Sequence, residues 1–480
     1  MSNEMASDIA DLTALQMRDA FAAGELSPVE AAEACLARIR ALDDRIHAYS
    51  QVNEEITLAE ARAAETRYRE GRADGLVDGV PVAVKDIFMA EGWPNLKGSR
   101  LIDPNNPCDV DSPAVAALRR HGMVTVGRTT TPEFGWKGVT DSPLEGPTGN
   151  PWAPELTAGG SSGGSASAVV LGMGPLALGT DAGGSIRIPA AFSGLFGHKP
   201  THGLCPMWPP SAFWPLAHVG PMTKTVADSA LLMNVLAEPD PRDPSLPGNR
   251  TDFLAELEGG IEGLRIAYSP SLGFGTEVDP EIAAAVADAV RRLADLGARV
   301  EEVDPGLDDP RAAFDILFYG GAANAMREIG AADRERMDPG LAAVAAWAEK
   351  LSLLDYQGAM NVRASWIEAM SLFHERYDLL VTPTLPIPAF RKGLEVPEDW
   401  PHERWPTWTP FTYPFNMTGQ PAASVPCGFT AAGLPAGLQI VGPRHADALV
   451  LRAAHAYQQA HDLSGLRPDW IEESPTEGSK

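Results

Sequence analysis

Cysteine is scarce in this chain. The four in 480 residues, Cys35, Cys108, Cys205 and Cys427, lie far apart. No Cys-x-x-Cys pair occurs, which argues against a zinc knuckle or a dithiol redox site. Small core hydrophobes in a reduced compartment are the expected role. Positive charge is also short: 38 basic against 64 acidic side chains leave a net charge of −26. A nucleic-acid backbone needs a basic face, so nucleic acid is not an expected partner. Long apolar runs are missing. The longest, residues 168–180, is broken by glycines and Pro175 and is followed by Asp181. It is too short to span a bilayer, so no membrane partner is expected. Residues 1–8 carry no basic segment and no apolar core, so the expectation is a cytoplasmic protein without a signal peptide. With 44 % apolar and 21 % charged residues, the rest of the composition is that of an ordinary folded protein.

What is there reads first as helices. Ser27-Pro28-Val29-Glu30 is a capping box with proline at the first helical position. Val29, Ala32, Leu36, Ile39 and Leu42 then recur at helical spacing. Residues 1–75 form the expected helical arm, with 54–70 as a polar, alanine-rich helix. From about residue 78 short apolar strands alternate with helices: Val80–Val84, then Ala114–His121, then Met123–Val126, with Leu176–Leu178 as a further strand. Later, Leu264–Tyr268 leads to a helix capped by Asp279 and Pro280, and Arg299–Val303 returns as a strand. Ala423–Phe429 and Ala436–Val441 flank Ala431-Ala432-Gly433 as a hairpin, and Ala446–Ala460 closes as a helix. This alternation predicts an α/β fold: one large domain around a mixed, mostly parallel twisted sheet with helices on both faces. Within it, 76–240 hold the unusual motifs, 241–410 a variable region, and 411–470 a return to the core. The proline-rich stretch 238–250 is a connector.

The least ordinary segment runs from 158 to 200. It contains Gly159-Gly160-Ser161-Ser162-Gly163-Gly164-Ser165 and then Gly179-Thr180-Asp181-Ala182-Gly183-Gly184-Ser185-Ile186-Arg187-Ile188-Pro189. A flexible linker is a poor reading, because apolar residues 166–178 lie between the two blocks. Glycine before serine lets several N–H groups converge, and such a nest can hold the oxyanion of an acyl-transfer intermediate. Gly-x-Ser-x-Gly is centred on both Ser161 and Ser162, but Pro151 and Pro154 deny it the preceding central strand of an α/β-hydrolase. A nucleophilic serine needs a base. Lys85 ends the apolar strand 80–84, and burial lowers a lysine pKa so that the neutral amine can accept a proton. Ser–Lys pairs are one form of nucleophile activation.

Gly79-Val80-Pro81-Val82-Ala83-Val84-Lys85-Asp86, the double-glycine serine block and Gly179–Pro189 together resemble the amidase signature family. The likeness continues through Gly127-Arg128-Thr129, Thr131-Pro132-Glu133-Phe134, Gly197, Lys199-Pro200-Thr201, Asp378–Pro383 and Phe415–Gly442, in the family's order. The resemblance implies the amidase signature fold and a Ser–cis-Ser–Lys triad. By motif position Ser185 is the nucleophile, Ser161 the middle serine and Lys85 the general base. The N–H groups of Ala182, Gly183, Gly184 and Ser185 form the implied oxyanion hole, with Thr180, Asp181, Arg187 and Ser162 in support. Asp181 and Arg187 read as an ion pair, although Arg187 could instead bind a substrate carboxylate. The implied reaction is cofactor-free hydrolysis of carboxamides through an acyl-serine, with esters and carbamates such as urethanes as extensions. No metal is expected.

The chain departs from the family pattern at Thr130, where asparagine is usual, at His198 and at His202-Gly203-Leu204-Cys205. With a lysine base present, His198 and His202 are not needed as bases. Residues 205–216 and 400–415 hold five of the eleven tryptophans among prolines. They suggest a rigid apolar funnel for an aryl or alkyl group, with Trp208, Phe213, Trp214, Trp136, Trp405 and Trp408 as candidate walls. The expected partner is a small amide or carbamate, acted on by a monomer or homodimer. The alternative is the catalytic subunit of a glutamine-hydrolysing tRNA-dependent amidotransferase. That subunit type usually has Ile-Arg-Gln-Pro after the nucleophile, where this chain has Ile186-Arg187-Ile188-Pro189, and a Tyr-Gly-Arg-Val-Ser stretch that is missing here.

Overall fold

Strand Pro81–Lys85 shows how the sheet is built. Val82 and Val84 point to one face, where they meet the helices Ala14–Ala23, Pro113–Arg120 and Val226–Leu236 in one apolar cluster. Ala83 points to the other face, beside the helices Pro28–Ile46 and Gly163–Val170. The same alternation divides Leu176 and Leu178 from Ala177. Both faces are therefore covered, and the strands read as continuous apolar runs. The computed structural model describes residues 9–73, 75–243 and 251–471. Residues 1–8 and the latter part of the 238–250 connector lie outside them.

Eleven of the described strands form one sheet. They are β1 (Tyr49–Val52), β2 (Pro81–Lys85), β3 (Val124–Thr129), β6 (Leu176–Asp181), β7 (Phe196–Lys199), β8 (His218–Thr223), β9 (Arg265–Tyr268), β10 (Arg299–Glu302), β11 (Leu379–Pro383), β12 (Ala422–Phe429) and β13 (Pro435–Val441). Two short strands, β4 (Asp141–Ser142) and β5 (Gly146–Pro147), pair separately. The order across the sheet is β1-β3-β2-β6-β8-β7-β12-β13-β11-β9-β10. The fold is a single α/β domain, but the expectation of a mostly parallel sheet is corrected. Six of the ten neighbour pairings are antiparallel and four are parallel. The strand–helix–strand units β2/β3 and β9/β10 do give parallel pairs. Between them, β8 inserts antiparallel between β6 and β7, and the hairpin β12/β13 fills the middle. Strands buried on both faces look alike in sequence whichever way they run, so direction was not encoded in apolarity.

Local signals carry over well. Ser27 and Glu30 form the capping box, and Asp279 caps the helix Pro280–Asp295 with proline at its start. The N-terminal arm is not purely helical, because β1 interrupts it and pairs with β3. A separate aromatic cluster, including Trp136, Phe192, Phe314, Trp405 and Trp408, packs under the helices Arg311–Ala325 and Pro339–Ala348.

Candidate active site

β2 and β6 are parallel neighbours, paired at Val82↔Leu176 and Val84↔Leu178. Their carboxyl ends thus bring Lys85 beside Thr180 and Asp181, the usual place for chemistry in open α/β sheets. The Lys85 ammonium nitrogen lies 2.7 Å from Ser161 Oγ, 2.9 Å from Ser162 Oγ and 2.8 Å from Thr180 Oγ1. Lys85 is fully buried, and burial pushes its pKa well below the ordinary lysine value; the Asp181 carboxylate works against that shift. Arg187 is spent on Asp181.

The three hydroxyls are not equivalent. Ser162 Oγ donates to the Thr180 carbonyl at 3.2 Å and accepts from the Thr180 N–H at 3.3 Å. Its proton is committed, so it can only accept from Lys85. Ser161 has no other hydrogen bond among the described residues, leaving its proton free to point at the amine. The Gly160–Ser161 peptide is cis. The Ser162 N–H donates to the Ser185 carbonyl at 3.1 Å and ties the two serine loops together.

Asp181 organises the turn that carries Ser185. Its carboxylate accepts from the Gly184 N–H at 2.7 Å and the Ile186 N–H at 3.3 Å, and receives Arg187 at 2.9 and 3.0 Å. Burial alone would raise this carboxyl, but the Arg187 guanidinium and the Asn416 amide hold it below the usual carboxylate range. The remaining Arg187 donors reach the Thr412 carbonyl, Gln439 and Asn416. With every donor taken and no surface exposed, Arg187 braces the turn and is not available to a substrate carboxylate. The turn needs its glycines. Gly184 has φ 132°, and a side chain on Gly183 would meet Trp405 and Phe314 at 2.7 and 2.8 Å.

Of the four N–H groups expected to form an oxyanion hole, one is taken within the turn itself. The Gly184 N–H points back to Asp181, whereas those of Ala182, Gly183 and Ser185 have no partner among the described residues. Ser161, Thr180, Ala182 and Ser185 line one cavity of about 310 Å³. Its walls include Phe134, Met207, Trp208 and Phe213. The other candidate wall residues are corrected. Trp136, Trp405 and Trp408 are buried in the aromatic cluster behind the turn, and Trp214 is exposed against His202. A proline-rich loop full of tryptophan can be core as readily as pocket, and Trp405, Trp408, Phe411, Tyr413 and Phe415 are core. His198 is buried against Asp447 at 3.2 Å, and neither it nor His202 lines the cavity. The wall segment 87–97 and Ser112 carried no signal recognised in the sequence. Among the described residues no group of three or more His, Cys, Asp or Glu could hold a metal ion, and no helix is long and apolar enough to cross a membrane.

An α/β sheet whose parallel strand ends gather a buried lysine, a serine pair and a glycine-flanked serine has the groups that acyl transfer requires. The Amidase family model matches residues 30–451. The chain is 37 % identical to an acylamidase of Rhodococcus erythropolis, over 95 % of this chain and 97 % of that one. It is 38 % identical to a glutamyl-tRNA(Gln) amidotransferase subunit of Myxococcus xanthus, over 95 % and 98 %. It superposes on a bacterial aryl acylamidase of the amidase signature family with a TM-score of 0.90 at 31 % identity, covering 96 % of this chain and all of that one. The chain belongs to the amidase family and is a hydrolase of amide C–N bonds.

Proposed function

We propose that the protein hydrolyses carboxamides bearing an aryl or alkyl group through an acyl-Ser185 intermediate, without a cofactor. One observation carries this reading: the buried Lys85 amine, with no carboxylate in ion-pair contact among the described residues, lies 2.7 Å from Ser161 Oγ on a cavity that Ser185 also lines. In the proposed cycle Ser185 Oγ attacks the carbonyl carbon. Its proton passes to Ser161, whose own proton moves to neutral Lys85. The N–H groups of Ala182, Gly183 and Ser185 receive the oxyanion. As the C–N bond breaks, the lysine proton returns through Ser161 to the leaving amine. Water then repeats the sequence on the acyl-serine.

The apolar wall of Phe134, Met207, Trp208 and Phe213 supports an aryl or alkyl substituent, as does the likeness to an aryl acylamidase. The same attack serves aryl esters and carbamates. The four free cysteines fit a reducing compartment such as the cytoplasm, with the chain acting as a monomer or homodimer. The test is a screen of p-nitroanilides, small aliphatic amides, glutamine and aryl carbamates, with Ser185→Ala as the blank. Anilide turnover and fluorophosphonate labelling are expected in the wild type and lost in the variant. Stoichiometric labelling of Ser185→Ala would move the nucleophile to Ser161 or Ser162. Glutamine hydrolysis that requires partner chains would replace this reading with the amidotransferase one.

A further inference from the structure

The cavity lining also includes polar side chains that the proposed chemistry does not use. Lys97, Asn95 and Ser112 line the same cavity as Ser185. Asn95 and Ser112 are more than nine-tenths buried, yet Asn95 Oδ1 and Ser112 Oγ have no hydrogen-bond partner among the described residues. Both are anchored on the other side: Asn95 Nδ2 donates to the Ile87 carbonyl at 3.1 Å, and the Ser112 N–H to the Met89 carbonyl at 2.9 Å. Lys97 is half-buried, and no carboxylate pairs with it among the described residues. In a chain of net charge −26, an ammonium left unpaired on the catalytic cavity is out of keeping with its surroundings.

Lys97 is also held where a lysine is unusual. Its φ is 53°, in the left-handed region that β-carbon-bearing residues seldom enter. Its carbonyl accepts from the Phe134 N–H at 2.8 Å, and the preceding Leu96 N–H donates to Asp86 at 3.2 Å. The following Gly98 packs so tightly that a side chain there would meet the Thr131 carbonyl oxygen at 2.5 Å. The turn is therefore fixed relative to Lys85 through Asp86, the next residue in the chain.

The geometry points to a carboxylate-recognition subsite formed by Lys97 with the Ser112 hydroxyl, so that preferred substrates are amides bearing a carboxylate as well as an apolar group. This rests on the proposed amide hydrolysis at Ser185. The ammonium supplies the charge and the hydroxyl a second donor, the pairing that charge-assisted recognition of a carboxylate requires. Asn95 Oδ1 remains to accept an N–H from the same ligand.

The test compares two matched pairs: succinyl- against butyryl-p-nitroanilide, and 4-acetamidobenzoate against 4-acetamidotoluene. The first places the carboxylate on the acyl side and the second on the amine side. In at least one pair, wild-type kcat/KM should favour the carboxylate member about tenfold or more at low ionic strength, with the preference shrinking as salt is added. Lys97→Asn, whose side chain suits the left-handed turn, should bring that ratio close to one; Lys97→Arg should keep most of it. The same ratio should appear in binding of each pair to Ser185→Ala protein by calorimetry, which needs no turnover. Ratios near one in both pairs, or a preference untouched in Lys97→Asn, would overturn the subsite. Butyryl-p-nitroanilide hydrolysis and Ser185 labelling report on the proposed function alone, so the two failures are distinguishable.

Discussion

Lys85 and Lys199 are both fully buried at the ends of strands, on either side of Asp181, and burial pushes both well below the ordinary lysine pKa. Their surroundings differ in one respect. Lys85 faces three hydroxyls, at 2.7 to 2.9 Å. Lys199 donates to the Gln420 carbonyl and, at 3.4 Å, to the Pro200 carbonyl, with His218 Nε2 also at 3.4 Å. A carbonyl only accepts, whereas a hydroxyl accepts and donates. Lys85 can therefore take a proton from Ser161, and Ser161 lines the cavity, whereas Lys199 does not. Desolvation makes an amine available as a base, but neighbours with protons to give decide whether it works as one.

The largest effect expected from this contrast is that of Lys85→Ala. Amide turnover should fall by about 10²–10⁴-fold, the range for a lost acid–base group. Esters should fall less, because an alkoxide or phenolate leaves without needing the proton. The sign of the pH dependence follows from the depressed pKa. At low pH Lys85 is protonated and cannot accept, so wild-type activity should rise with pH through a midpoint well below the ordinary lysine value of about 10.4. Rate profiles for a matched amide and ester check this. A variant that kept the wild-type alkaline limb on the amide would break the comparison.

The serine pair sharpens it. Ser161→Ala should lower amide turnover by about 10² or more, and Ser162→Ala by much less. Ser162 already sends its proton to the Thr180 carbonyl and can only brace Lys85. Steady-state kinetics on the two variants decide the order. A reversal would mean that the proton route runs through Ser162.

The strand before Lys85, the serine block and the capped helices were legible because each is a local pattern: five apolar residues in a row, glycine next to serine, a cap three residues from its glutamate. Strand direction was not, since β8 and the β12/β13 hairpin are set by connections rather than by apolarity. The tryptophans of 400–415 point the wrong way for a related reason: Trp405 and Trp408 are as apolar in a core as in a pocket, and only packing against Phe314 and Phe192 tells them apart. The Gly184 N–H looks like an oxyanion donor in sequence because nothing local shows that Asp181 takes it. Lys97 passes for a surface charge, because nothing in Asn95-Leu96-Lys97-Gly98 reveals a turn folded against Thr131.

The smallest effect expected is that of Lys199→Met on the pH profile. The substitution removes the second buried amine at similar side-chain length and leaves the Gln420 and Pro200 carbonyls without that donor. A loss of about 1–3 kcal/mol in unfolding free energy follows, read by denaturant titration. The activity limb is another matter. Burial and the nearby Arg187 charge push Lys199 toward its neutral form, against the pull of the Asp181 and Asp447 carboxylates. Removing a neutral amine changes no charge near Lys85, so the limb should move by less than about half a pH unit. Were Lys199 charged instead, losing that positive charge beside Asp181 would ease protonation of Lys85 and move the limb to higher pH. Were Lys199 the base, the limb would vanish with it. Either result would show that the carbonyl-bound lysine takes part in the proton balance, and the distinction between the two buried amines would fail.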